Sequence, residues 1–302
     1  MDDSKALIIT VNFRQAECTL QFLNSASEIE GFAGCHLLIV DNNSGDGSPS
    51  RIREAISEFS NVQLLASREN HGYLGGAKWA LNQYLARHSA PDWVIVCNND
   101  IVFDDREFLS RLFVNDPRAE GVLAPAVVSS LTGFDANPMI AKRPSRVRML
   151  RYRLLLSSYF VAWLTQWLAP IVRKMRNRLH AGSSRRNGRT RIYAPHGSIF
   201  IFSRRFFEAG GFIDDASFLY GEEFGVAEMC LQLGLPVIHD PKLRVWHEES
   251  QTTGRMLSRS VYQHQKNGFR HVLARYRNSY RELGPAQSVL RTGAAEDASN
   301  PR

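Results

Sequence analysis

Four short stretches carry residue types that can do chemistry together. Asn98-Asn99-Asp100 follows the apolar run Trp93 to Cys97 and sets one carboxylate at a strand tip. Hard divalent cations want oxygen ligands, and one or two protein carboxylates suffice when a substrate phosphate supplies the rest. Phe218-Leu219-Tyr220-Gly221-Glu222-Glu223 places paired acids after an aromatic run and before a helix-like stretch. A carboxylate held among apolar groups has a raised proton affinity, which suits a general base that deprotonates a hydroxyl at neutral pH. Val245-Trp246-His247-Glu248 offers one imidazole as a further metal ligand. Arg68 to Ala77 is a glycine-rich turn opening into a helix, where backbone amides favour anions and small residues let a diphosphate approach. Each stretch alone also fits a plainer role: an Asx turn, acids complementing a helix dipole, a structural histidine, a tight β-α turn.

These residues need elements that bring them together. The first third alternates short apolar runs with longer mixed stretches, the pattern of β-α units feeding a parallel sheet. It predicts strands over Ala6 to Val11, His36 to Val40, Val62 to Ala66 and Trp93 to Cys97. Helices are expected near Gln15 to Ser27, Pro49 to Phe59 and Leu74 to His88, each long enough for a right-handed crossover. Ligands of such open sheets gather beyond the carboxyl ends of the strands. There the sequence sets Val11-Asn12-Phe13, Asp41-Asn42-Asn43-Ser44, Asn70-His71-Gly72 and Asn98-Asn99-Asp100, four polar clusters on one rim. Further on, Ile192 to Ser203 reads as a strand-pair region, Arg205 to Gly210 as a short helix, and Ser258 to Arg281 as a basic amphipathic helix before a disordered tail.

The chain has 302 residues, 44% of them hydrophobic and 22% charged, the profile of an ordinary globular protein with one main core. Its four cysteines, Cys18, Cys35, Cys97 and Cys230, have no metal-ligand spacing and form no evident disulfide framework. Without a basic leader or cleavage site at the start, a reducing cytoplasmic setting is expected. The net charge of +7 is unevenly spread: no Asp or Glu occurs from Ala136 to Phe207, and fourteen Lys or Arg lie between Lys142 and Arg191. Inside this stretch, Leu154 to Val172 is mostly apolar, bracketed by arginines and lysines. Its serines, Thr165, Gln166 and Pro170 make a poor spanning helix, so a helix lying at the cytoplasmic leaflet is expected, with a packed helical insertion or dimer contact as the alternative. An apolar stripe inside the basic run favours lipid over nucleic acid.

In their order and spacing the motifs resemble the family 2 glycosyltransferases of GT-A fold, especially bacterial rhamnosyltransferase-like members that build surface polysaccharides. The resemblance covers about Ala6 to Thr253. It implies an α/β fold with a mostly parallel nucleotide-binding sheet flanked by helices and carrying the basic apolar helical insertion. The expected divisions are a nucleotide-sugar half (1–136), the insertion (137–191), an acceptor and catalytic half (192–257), and a C-terminal helix and tail (258–302). By resemblance Val11, Asn12, Asp41, Asn43, Asn70, Gly72, Gly75, Gly76, Asn98, Asn99 and Asp100 contact the donor. Asp100 and His247 meet Mg or Mn, and Gly197, Ser198 and Tyr220 lie under the acceptor. Glu223 takes the base position beside Glu222. The implied reaction is an inverting transfer from a nucleoside-diphosphate sugar, thymidine-diphosphate rhamnose first or a UDP-sugar otherwise, to a saccharide or lipid-linked acceptor at the inner face of the cell membrane. The chain departs from the family's usual pattern at Lys78, Gly225 and Met229, and carries Glu rather than the commoner Asp at position 223. Those departures motivate the alternative of an inactive saccharide- or partner-binding module on the same fold.

Overall fold

The computed structural model describes residues 5–165, 188–216, 221–249 and 258–277. Its centre is a nine-stranded sheet in the order β3-β2-β1-β4-β8-β6-β9-β5, with β7 pairing to β9 off the main path. The strands β1 (Ala6–Asn12), β2 (His36–Asp41), β3 (Val62–Ala66) and β4 (Trp93–Asn98) run parallel. β1, β2 and β4 are apolar along almost their whole length because helices cover both faces of the sheet. The crossovers are α1 (Ala16–Ser27), α2 (Ser48–Ala55) and α3 (Gly72–Leu85). All seven of these elements lie where the periodicity sets them, β3 with the expected ends and the others with ends shifted by at most a few residues.

Beyond β4 the direction of the sheet changes. β8 (Ile199–Ser203) runs antiparallel to both β4 and β6 (Val122–Ser129), while β6 pairs parallel with the long β9 (Val237–His247). The short β5 (Ile101–Val102) and β7 (Thr190–Ile192) pair antiparallel to opposite ends of β9. The expectation of a strand pair over Ile192 to Ser203 is therefore corrected: two strands form, but each pairs elsewhere. Residues 193–198 between them carry site residues instead of a hairpin turn.

One apolar layer, with Phe22, Trp93 and Phe108, fills one side of the sheet; the other, with Leu74, Phe200, Phe202 and Phe206, fills the opposite side. The helix α4 (Phe108–Phe113) belongs to the first. The second includes α6 (Arg204–Glu208), capped by the Ser203 hydroxyl, and α7 (Glu222–Gln232). Met229, one of the departures, lies in this layer, and its sulfur accepts the Phe212 N–H at 3.3 Å.

The helix expected over Leu154 to Val172 is not continuous. α5 spans Arg146–Leu155, the chain leaves helical geometry at 156–158, and helix resumes over residues 159–165. Ser157 turns its hydroxyl back onto the Leu154 carbonyl at 2.7 Å, the local competition that makes serine a poor helix continuer. Residues 166–187, with most of the expected loop after Ser183, and the tail from 278 lie outside the described residues. The C-terminal helix α8 (Arg259–Arg277) packs on α5 and α7. No described helix is long and apolar enough to cross a membrane.

Candidate active site at the strand-end rim

The rim predicted from the strand ends is assembled by side-chain hydrogen bonds. Asn12 donates to Asp41 Oδ1 at 2.7 Å and to Ser44 Oγ at 3.1 Å, and accepts from the Thr19 hydroxyl at 3.0 Å. Asn99 donates to Thr19 Oγ1 at 2.9 Å. Asp41 also accepts from the Ser44 hydroxyl at 2.6 Å. Asn12, Asp41 and Asn99 are thus buried with their polar atoms largely engaged, and they tie the ends of β1, β2 and β4 to α1. Asn43, at φ +59°, and Phe13 stand exposed at this edge. Arg14, which motif matching does not flag, clips the first loop to the second through the Ser44 carbonyl at 2.8 Å.

The glycine-rich turn is fixed from β2. Asn42 donates to Asn70 Oδ1 at 3.0 Å and to the Gly72 carbonyl at 2.8 Å, while its own oxygen accepts the His71 N–H at 3.1 Å. A Cβ on Gly76 would lie 3.3 Å from both methyls of Val11, so a larger residue would push the start of α3 off the end of β1. Gly75 is similarly close to His71. Lys78 reaches the far wall, pairing with Asp215 at 2.8 Å.

Asp100 and His247, separated by almost half the chain, meet because β5 pairs antiparallel with the end of β9, placing Ile101 opposite His247. His247 Nε2 lies 3.2 Å from Asp100 Oδ1. The approach lacks hydrogen-bond alignment: Asp100 Oδ1 and both imidazole nitrogens are buried without a hydrogen-bond partner. Buried polar atoms left unmatched are costly, so this facing pair is suited to a ligand that would satisfy both. A carboxylate oxygen and an imidazole nitrogen converging this way fit a divalent cation whose remaining ligands come from a diphosphate. Among the described residues no third His, Cys, Asp or Glu completes such a group.

His196, adjacent to the predicted Gly197 and Ser198, is the residue that motif reasoning misses. Its Nδ1 lies 2.9 Å from Ser198 Oγ, and its ring stands edge-on to His247 with centroids 5.6 Å apart. Its backbone N–H donates to Asn137 Oδ1 at 2.8 Å, linking the site to the start of the insertion. Burial, reinforced by His247, holds its pKa down to about 4, so the ring is neutral at pH 7.

Glu222 and Glu223 open α7 behind Gly221, whose φ of +97° suits glycine. A Cβ there would also sit 3.0 Å from Val272 and 3.2 Å from the Gly268 carbonyl of α8. Glu223 lies over Gly197: a Cβ on that glycine would be 2.6 Å from Glu223 Oε1. Burial raises the Glu223 pKa, with its own N–H and that of Gly221 opposing in part. Ser198 accepts the Asn98 N–H on its carbonyl at 2.8 Å, so the Glu223 platform adjoins the tip of β4. Tyr73 spans the two halves. Its hydroxyl donates to the Val96 carbonyl at 3.2 Å, and burial, with the charges of Glu222, Asp100 and Glu223 among its neighbours, pushes its pKa well up. Tyr220 lies outside the described residues.

The glycosyl transferase family 2 model matches residues 7–211, more than half of the chain. The chain belongs to this family. It is a glycosyltransferase of GT-A fold. The N-acetylglucosaminyl-diphospho-decaprenol L-rhamnosyltransferase of Mycobacterium tuberculosis is 25% identical over 276 residues, covering 86% of this chain and 80% of that protein. Among solved structures, GalNAc-T7 with UDP, GalNAc and Mn2+ aligns with a TM-score of 0.54 at 14% identity, over 81% of this chain and only 43% of that one. TarS 1-349 of S. aureus aligns with a TM-score of 0.53 at 12% identity, over 92% of this chain and 73% of that one. These two likenesses establish the fold.

Proposed function

We propose that the glycosyltransferase acts with inversion, moving a sugar from a nucleoside diphosphate to a hydroxyl of a lipid-linked saccharide. The observation that carries this reading is the pairing of two unlike centres on one rim: Asp100 and His247, whose facing atoms lack hydrogen-bond partners, on one side, and a half-buried Glu223 whose pKa burial raises on the other. The name of the mycobacterial relative supports rhamnose as the sugar and a polyprenyl-diphosphate saccharide as the acceptor class. Thymidine-diphosphate rhamnose is then the first donor to test.

The donor's base and ribose lie along the ends of β1 and β2, where Val11, Asn12, Asp41 and Asn43 form the wall. Its diphosphate faces the start of α3, where Asn70, Gly72, Gly75 and Gly76 keep the approach open and the helix N-terminus favours negative charge. Asp100 and His247 would hold Mg or Mn, which supplies positive charge against the charge that grows on the departing diphosphate. Asn98 and Asn99 keep the strand tip uncharged beside them. From the opposite side the acceptor hydroxyl meets Glu223, which takes its proton as oxygen attacks the anomeric carbon. Glu222, Gly197 and Ser198 shape the floor beneath. With Glu223 acting as base on the acceptor hydroxyl, the transfer runs as a single displacement, with inverted configuration in the product.

Proton NMR of the product, compared with the anomeric configuration of the sugar nucleotide supplied, tests this directly. A product of the opposite configuration supports the reading; one that keeps the donor's configuration overturns it.

A further inference from the structure

The break at 156–158 changes what the basic insertion presents. On α5, Met149 is buried and Tyr152 packs edge-to-face on Phe269 of α8, with ring centroids 6.1 Å apart. The outward face carries Val147, Leu150 and Leu154, at helical spacings of three and four, which are 62%, 53% and 61% exposed. After the break, Phe160 adds a ring that is 64% exposed and stacks on Trp163 with centroids 6.0 Å apart. Contiguous exposed apolar residues of this size mark an interaction surface. The same helix is cationic, with Arg146, Arg148, Arg151 and Arg153 all exposed, and the sequence of the packed α8 adds five Lys or Arg and no acid.

We infer that this ridge, Val147, Leu150, Leu154 and Phe160 framed by arginines, docks on an anionic lipid surface and seats α7 above it. Charge complementarity selects the occupant. Large apolar side chains inside a one-signed basic frame match a bilayer of anionic headgroups over acyl chains. The ridge is mechanically joined to the site. The Tyr262 hydroxyl of α8 donates to the Leu156 carbonyl at the break at 3.0 Å, and Gly268 and Val272 of the same helix leave no room for a side chain at Gly221, directly before Glu222 and Glu223. This deepens the lipid-linked acceptor reading and rests on it for its purpose: an acceptor anchored in the same bilayer would arrive beside the helix that carries the base. The docking surface thereby moves from the whole of Leu154 to Val172 to an earlier, defined face.

The test uses the full chain and vesicle flotation, with phosphatidylcholine alone and with phosphatidylglycerol mixed in. Wild-type protein is expected on the anionic vesicles, released by salt, and largely absent from the neutral ones. Leu150→Glu with Leu154→Glu should weaken binding by more than about tenfold. Arg146→Gln with Arg151→Gln should weaken it by about fivefold per arginine on anionic vesicles only. Circular dichroism and turnover on a water-soluble acceptor should match wild type for both pairs. Absence of wild-type binding, or variants that bind undiminished, would overturn the proposal. So would a dimer in sedimentation velocity that the leucine variants dissolve, because the face would then belong to a second copy. Vesicle binding without turnover on any soluble acceptor would leave the surface assigned and instead remove the transfer reading.

Discussion

Gly197→Ala is a one-methyl probe of the proposed base. The backbone at Gly197 lies outside the left-handed region, so alanine is not strained by conformation. Its Cβ, however, would stand 2.6 Å from Glu223 Oε1 and 3.1 Å from Cδ. Ordinary contact begins near 3.4 Å, so the oxygen must retreat by roughly 0.8 Å. The clashing atoms end a side chain that can pivot, and the fold should absorb the methyl with a small change in thermal midpoint. Reaction geometry is less forgiving: a misplacement of about 1 Å costs on the order of 100-fold in rate. Steady-state kinetics should therefore show kcat reduced by about that factor with donor affinity preserved. A second substitution should rescue the first. Glu223→Asp in the Gly197→Ala background shortens the side chain by one methylene, clears the methyl, and should recover at least about tenfold of the loss. A Gly197→Ala enzyme with wild-type kcat, or a double variant no better than either single one, would refute the placement of Glu223 over Gly197 as the reactive arrangement.

Further outcomes follow from the same geometry. Burial raises the Glu223 pKa above its ordinary 4.5 and the unprotonated carboxylate is the active base, so kcat should rise with pH through that raised value. A pH profile whose acidic limb falls at or below 4.5 would contradict this assignment. Asp100→Asn should abolish the Mn-dependent part of the thermal stabilisation given by a nucleoside diphosphate, which for wild type reaches about 2.7 kcal/mol at a hundredfold excess over Kd. Retention of that shift would remove Asp100 from the metal. Glu228 is buried between the Tyr193 hydroxyl at 2.7 Å and the Arg143 guanidinium at 2.9 and 2.6 Å, a brace between the insertion and α7. Arg143→Ala should lower unfolding free energy in urea by about 2 kcal/mol, since the arginine is half exposed and the carboxylate keeps one partner.

What could be read from the sequence divides along physical lines. β1, β2 and β4 were legible because strands covered on both faces are continuous apolar runs, β3 as a short largely apolar run at the sheet edge, and α1 to α3 because each crossover helix follows its strand locally. β9 carries no such contrast: its eleven residues include Asp240, Lys242 and Arg244, and its ladder with β6 shifts register at Pro125/Ala126. β7 and β8 are adjacent in sequence but pair with different strands, a long-range choice that local pattern does not encode. The break in the insertion is signalled only by Ser157 and Ser158, which also occur within ordinary helices. Within the site, resemblance supplied the residue types, and the structure brings Asp100 to His247 and Glu223 to Gly197 through sheet register and helix packing. Asn12 and Asn99 look like ligands by type, yet their side chains hold the rim together. His196 carried a signal in its neighbours Gly197 and Ser198, although nothing in its type alone separated it from the other eight histidines.

The central claim is the division of labour between a donor centre at Asp100 and His247 and a base at Glu223. The most direct measurement is Glu223→Gln, assayed twice on one preparation: calorimetric titration with the donor nucleotide and Mn, then turnover with donor and acceptor. Nucleotide affinity is expected within about twofold of wild type, and turnover reduced by roughly 100- to 10,000-fold. Wild-type turnover, or a loss of nucleotide binding equal to the loss of turnover, would contradict it.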